Sequence, residues 1–318
     1  MARSVSAADV ARRAGVSGQT VSRVTNGSAR VDPETRARVE AAMAELGYRP
    51  HRAARALRTG RTRTIGVLVR TLSSVGNARM LEAVVAAGAA RDHAVLVLTL
   101  GDDTADALAA AYAALADHGV DGVLALNEAT PTVRAAQAPS FPLVAVDAAP
   151  TDGIPVITSD HAGGAASAVA HLRSSGHRIV HHLAGPRGSH AADERESGWR
   201  AAQPDVELPA PVRGDWTSAS GFAVGRELAA DPEVTAVFAA NDQMALGLLR
   251  ALHEAGRTEV AVIGFDDVAD AAEFQPPLTT VAQDFAALGR EAVALLLTRV
   301  EGGESPARTV IPTHLVLR

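Results

Sequence analysis

From residue 64 to the last residue, apolar runs and Ala-rich stretches take turns along the chain, and no other feature restricts its fold as much. Thr64–Val69, Ala94–Leu98, Gly122–Leu126 and Leu143–Val146 are unbroken and rich in Val, Leu and Ile. That is the pattern of strands buried on both faces. Between them Arg79–Arg91, Asp103–His118 and a short stretch near Pro131–Ala136 read as helices. A second series follows, with strands near Val156–Thr158, Ile179–Leu183, Val212–Arg213, Ala236–Ala239 and Val260–Gly264. Its helices are expected near Ala162–Ser175, Glu194–Ala202, Ser218–Ala229, Gln243–Ala255 and Phe285–Arg299. Repeated alternation predicts parallel α/β sheets covered by helices. Two series predict two lobes, with a ligand cleft at the carboxyl ends of the strands.

The first 63 residues are different. They carry 13 Arg against 5 acidic residues, while the remainder carries 17 Arg against 31, so a basic head precedes an acidic body. That asymmetry points to a nucleic-acid module joined to something else. Ser6 is a good N-cap for a first helix ending at Ala14, and Gly15 can take the left-handed C-cap. Ser17 can cap a short second helix from Gly18 to Val24. Asn26-Gly27 marks a turn, and a third helix runs from about Asp32 to Leu46, with Pro33 in its first turn. Two short helices on a tight Gly turn, with a supporting third, describe a helix-turn-helix. Gly18, Gln19, Thr20, Ser22 and Arg23 would face DNA. Gln suits adenine and Arg suits guanine in the major groove. Val10, Ala11, Val16, Val21, Val24, Val39, Met43 and Leu46 would form the small core.

The run "ADVARRAGVSGQTVSRVTNGSARVDPETRARVEAAMAELGYRP" resembles the DNA-binding head of the LacI/GalR family of transcriptional regulators. The resemblance continues through "HLAGP", "RGDWTSASGF", "AANDQMALG", "VIGFDDV" and "PPLTTVAQDFAALG", from about Ser6 to Leu317. It implies a small all-α head on an α/β two-lobe core similar to periplasmic sugar-binding proteins. The implied boundaries are 1–49 for the head, 50–63 for a hinge helix and linker, and 64–318 for an effector-binding and dimerisation core. It adds Ser6, Ser17, Asn26 and Arg30 to the expected DNA contacts, and Leu57 as an apolar wedge in a minor-groove step. Gly18 stands where an aromatic precedes the Gln-Thr pair in the family's lactose-responsive branch, so a different operator is expected.

The resemblance also implies an effector site. A sugar offers adjacent hydroxyls and apolar C–H faces, which call for bidentate planar groups and an aromatic face. Asp147, Arg195, Trp216, Asn241 and Asp266 match such positions; Gln283 and Phe285 match the crossing between lobes. Ser74, Gly76 and Asn77 replace bulkier residues of the first-lobe wall, which implies a roomier, more polar pocket. A galactoside is the first expectation and a β-glucoside such as cellobiose the second. The implied protein is a homodimeric repressor, bound to pseudo-palindromic double-stranded operator DNA and released by the sugar. A purine-type effector or corepressor, and a sugar-binding protein of transport, are the alternatives.

Other classes find little support. There is no Cys, hence no disulfide or thiolate metal site. His171, His177, His181 and His182 lie close together, but no fixed-spacing metal motif holds them. No GxSxG elbow or acid/base pair suggests an enzyme, and no metal or cofactor is expected. The polar start and the lack of an apolar run of membrane length point to the cytoplasm. "VIPTHLVLR" carries no Leu heptads, so a dimer rather than a tetramer is expected.

Overall fold

A computed structural model of the chain describes residues 5–25, 28, 30–48, 60–101, 104–127, 141–150 and 153–318. The expected positions Asn26 and Leu57, the hinge helix and the helix near Pro131–Ala136 lie outside the described residues. The chain divides into two units, Met1–Thr62 and Arg63–Arg318.

In the first unit, α1 (Ala7–Ala14), α2 (Gly18–Thr25) and α3 (Pro33–Glu45) surround one small core. Ser6 and Asp9 cap α1 reciprocally, and Gly15 closes it with φ of 66°. Asp32 caps α3 by accepting the Thr35 N–H at 2.8 Å. Val10, Ala11, Val21, Val24 and Val39 are buried together. Val21 and Val24, on one face of α2, turn into this core.

The second unit consists of two lobes. Sheet one contains β1 (Thr64–Val69), β2 (Ala94–Thr99), β3 (Gly122–Leu126), β4 (Leu143–Val146), β5 (Val156–Ser159) and β11 (Arg308–Ile311). Their spatial order is β11-β5-β4-β3-β1-β2. All its pairs are parallel. Sheet two is ordered β12-β10-β9-β8-β6-β7. Its strands are β6 (His181–Ala184), β7 (Val212–Arg213), β8 (Ala236–Ala239), β9 (Ala261–Asp266), β10 (Thr279–Gln283) and β12 (Thr313–Val316). β12 runs antiparallel to β10. In lobe one the helices are α4 (Val75–Ala89), α5 (Ala105–Asp117) and α10 (Phe285–Val300). In lobe two they are α6 (His161–Ser174), α7 (His190–Ala201), α8 (Ser218–Ala230) and α9 (Asp242–Glu254).

The chain passes between lobes three times: from β5 to α6, from β10 to α10, and from β11 to β12. One expectation is therefore corrected. The helix beginning at Phe285 was grouped with the second series, yet Leu288, Ala292, Val293 and Leu296 pack into the core of sheet one with Ile65, Val67 and Leu124. Gly289 permits this, because a Cβ there would lie 2.6 Å from the Ala83 backbone of α4. Strands β11 and β12 were not expected at all. They are half-exposed edges and lack the continuous apolar run that marks a central strand. Helix α4 starts four residues before the expected Arg79. Ser74 caps it by accepting the Asn77 N–H at 3.3 Å, so a Gly- and Asn-bearing stretch that looks like a loop is its first turn. Among the described residues no helix is long and apolar enough to cross a membrane. No cluster of metal-ligating residues occurs among them either.

Candidate functional site

On α2, Gly18, Gln19 and Arg23 are exposed and Thr20 and Ser22 half-exposed, opposite the buried Val21 and Val24. Arg30 is also exposed. Two of the expected contacts have local work. The Ser6 hydroxyl caps α1, and the Ser17 hydroxyl accepts the Thr20 N–H at 3.2 Å, capping α2. These caps fix the helix N-terminus that would approach a phosphate. Arg12 and Arg13 pair with Asp9 and Glu45 on the exposed surface.

The other site is a cleft in the second unit. All nine expected effector positions line it: Ser74, Asn77, Asp147, Arg195, Trp216, Asn241, Asp266, Gln283 and Phe285. They come from eight elements or their ends, most at the carboxyl edges of strands or the starts of helices. Sequence reasoning missed Asn127, Ser189 and Ala191 in the lining. Asn127 follows β3 directly, and the rule that ligands lie beyond strand ends would have found it. Ser189 immediately precedes α7, whose start was expected four residues late.

Asp147, at the end of β4, is buried. Its Oδ1 accepts three hydrogen bonds, from the Thr158 hydroxyl (3.0 Å), the Ser159 N–H (2.9 Å) and His161 Nε2 (3.0 Å). Burial opposes its charge, but His161 and the other donors outweigh that and hold the carboxyl below its usual value. His161 was not singled out in the sequence, yet it carries the network onward. Its Nδ1 accepts from Nε and Nη2 of Arg195, each at 3.3 Å. A guanidinium only donates, so Nδ1 is the acceptor and Nε2 bears the proton.

Arg195, on α7, is buried as well. Its Nη1 donates to the Ala240 carbonyl and its Nη2 to Asp266 at 3.4 Å. The guanidinium lies 3.8 Å from the centre of the Phe265 ring and 5.6 Å from that of Trp216. Burial loosens its proton, against the pull of Asp266 and Asp147. Asp266 also accepts from Gln283 Nε2 at 2.7 Å. Burial raises its carboxyl above the usual range despite Arg195 and Gln283.

Asn241 caps α9, with Oδ1 accepting the Met244 N–H at 2.9 Å. The Asn241 Nδ2 donates to the Trp216 carbonyl at 3.0 Å. Asp242 instead turns inward to accept from the Val268 N–H (2.8 Å) and the Thr280 hydroxyl (2.6 Å). Trp216 has φ of 74° and lies over Gly185, where a Cβ would come within 2.3 Å of the indole. Asn77 is buried, and its amide serves Thr71 and Asn127. It shapes the wall more than it offers a hand to a ligand.

Four lining residues that are not glycine have positive φ: Asn127 (45°), Asp147 (49°), Trp216 (74°) and Asp266 (110°). Such backbone persists only where the surroundings over-determine it, and it gathers at functional sites. The cleft also holds unmet hydrogen-bonding capacity. Trp216 Nε1 and Gln283 Oε1 are buried without a partner. Asp147 and Asp266 each use Oδ1, and among the described residues no protein donor meets either Oδ2.

A helix-turn-helix head followed by a two-lobe core with a polar cleft defines a class: regulators that couple DNA binding to a small molecule. Residues 7–51 match the family of bacterial regulatory proteins, lacI family, and residues 169–318 match the periplasmic binding protein-like domain. The chain is 34% identical over 319 residues to the lactose operon repressor of Escherichia coli K12, covering 98% of this chain and 89% of that protein. It is 37% identical over 328 residues to the transcriptional regulator CelR of Thermobifida fusca, covering 97% and 96%. Among solved structures, the lac repressor dimer bound to operator and the anti-inducer ONPF superposes with a TM-score of 0.86 at 34% identity, covering 99% of this chain and 98% of that one. A CelR–cellobiose complex gives 0.71 at 34% identity, with 99% of each chain covered. The chain belongs to the LacI family.

Proposed function

We propose that this chain is a sequence-specific transcriptional repressor of sugar-utilisation genes, which leaves its operator when an uncharged saccharide enters the cleft. The observation that carries the sugar reading is the unmet polar capacity of the site. A polyol supplies hydroxyl protons for the free oxygens of Asp147 and Asp266 and for Gln283 Oε1, and an acceptor for Trp216 Nε1. The indole offers a flat face to the sugar's C–H surface. Residues 1–49 would form the DNA-reading head, 50–63 the hinge and 64–318 the effector core. The relatives' repressor names and the operator-bound dimer support a homodimer on two half-sites in the cytoplasm.

Release is a linkage argument. A ligand preferring one lobe arrangement lowers DNA affinity by the factor by which DNA lowers the ligand's. Among sugars, galactosides and β-glucosides lead, supported by the lac repressor and CelR similarities. The test is tryptophan fluorescence during titration with lactose, galactose, cellobiose, maltose and glucose. Only Trp199 and Trp216 report. A saturable change with one sugar, lost in Trp216→Phe, supports the reading. Silence toward every sugar counts against it and sends the search to other metabolites, purines first.

A further inference from the structure

Helix α4 belongs to lobe one, yet one of its faces reaches lobe two. Val75 and Arg79 stand at i and i+4, on the same face. Val75 packs against the apolar cluster of lobe two that contains Met244, Val268 and Leu278. One turn further on, Nη1 of Arg79 donates to two successive carbonyls of lobe two, Asp266 O at 2.7 Å and Asp267 O at 3.0 Å. The guanidinium lies 4.6 Å from the centre of the Phe285 ring, at the β10–α10 crossing. Asp266 and Asp267 both have positive φ, 110° and 49°. That turn is held from its own lobe by Arg318, whose Nη2 donates to Asp267 Oδ1 at 2.7 Å, and by the Val268 N–H on Asp242.

From this geometry we infer that Arg79 is a cross-lobe clasp: it positions the Asp266 carboxylate and favours the lobe arrangement that keeps the cleft assembled. The contact is made of donors and carbonyls with fixed directions. A rotation of one lobe against the other by a few ångströms breaks both hydrogen bonds together. The same helix carries Ser74, Gly76 and Asn77 into the cleft wall. A ligand that shifts the first turn of α4, the Asp266 turn or Phe285 therefore acts directly on the clasp, with no longer pathway needed. The clasp stands on contacts within the core. Only its ligand consequence rests on the effector reading given above.

The chain has no cysteine, which makes its test clean. Spin labels on Ala110→Cys and Glu227→Cys, exposed positions on α5 and α8, report the distance between lobes in the full-length chain. Arg79→Gln is expected to broaden the distance distribution and move its centre. Arg79→Lys, which can still donate to both carbonyls, should restore much of the narrow distribution. An unchanged distribution in Arg79→Gln overturns the clasp, whatever happens to thermal stability. So does a loss in Arg79→Gln that Arg79→Lys does not rescue at all, since that marks a packing defect. If Arg79→Gln fails to fold, Arg79→Met, which keeps the stem on Phe285, takes its place with the same two outcomes. In parallel, lactose and cellobiose are titrated by tryptophan fluorescence. A sugar that binds the parent chain should bind Arg79→Gln roughly tenfold more weakly. Should neither sugar bind the parent, the sugar reading loses support while the distance measurement still decides the clasp.

Discussion

His161 Nε2 donates to Asp147 Oδ1 across 3.0 Å, which ties the first residue of a lobe-two helix to the end of a lobe-one strand. The other ring nitrogen faces Arg195, and Arg195 faces Asp266. Carboxylate, imidazole, guanidinium and carboxylate thus form one continuous buried line under the cleft.

That line predicts a large effect at its middle. His161→Phe keeps the ring volume and deletes both nitrogens, taking one of the three donors from Asp147 Oδ1 and stranding Arg195 Nε. Buried groups left unpaired cost about 1–3 kcal/mol each. The expected result is a core that melts several degrees lower and binds its sugar at least tenfold more weakly, by calorimetry and fluorescence. A variant with the parent's affinity would show that the line does not support the site.

Arg195→Ala removes the guanidinium shared by His161, Ala240 and Asp266. A head that folds on its own core should still bind DNA. The expected phenotype is operator binding that no sugar relieves, measured by gel shift on a duplex selected from a random library. A mutant that still releases its operator with sugar would take Arg195 out of the site.

Stability should depend on pH through Asp242. Burial, together with the neighbouring Asp266 carboxylate, pushes its carboxyl from 3.8 up to about 7. Between those two values the folded chain holds a proton that the unfolded chain has released, so this contribution to stability falls as pH rises toward 7. His182, stacked between Trp199 and Phe238 and pushed by burial down to about 4, has the opposite slope between 4 and 6.5. The two are separated by comparing the parent with Asp242→Asn, whose amide can still donate to Thr280 and accept from Val268. Relative to the parent, the variant should gain thermal stability between pH 5 and pH 8. A difference that stays constant with pH would mean that Asp242 does not titrate there.

For DNA, Leu57→Ala should weaken binding to a selected operator far more than binding to random duplex. An apolar wedge contributes only where the duplex opens to receive it, whereas phosphate contacts act on any sequence. Equal losses on both would remove Leu57 from the groove.

The central strands were legible because a strand covered on both faces must be apolar throughout. Thr64–Val69, Gly122–Leu126, Leu143–Val146 and Ala236–Ala239 have the same ends in sequence and structure. The edges were not legible, because β11 and β12 are half-exposed and mix polar with apolar residues. Nine cleft residues followed from family resemblance and strand ends, yet His161 and Arg79 did not. Their importance comes from pairing with residues distant in sequence, such as Arg195 and Asp266, and no local pattern announces such a pairing. Asn241 and Asp242 cannot be told apart by local sequence for a related reason. Either type can cap a helix, and only the buried Thr280 and Val268 donors decide which one turns inward.

The three passages between lobes also order events during synthesis. Sheet one receives its edge strand from Arg308–Ile311 and sheet two from Thr313–Val316, and helix α10 returns to lobe one from beyond the whole of lobe two. Neither lobe is a contiguous stretch that a ribosome could deliver finished. Both keep an unpaired edge until Arg308–Val316 emerges, and such edges invite association with other chains. A growing chain therefore completes its two halves nearly at once, and neither half is closed to chaperones and to aggregation before Arg308–Val316 is made.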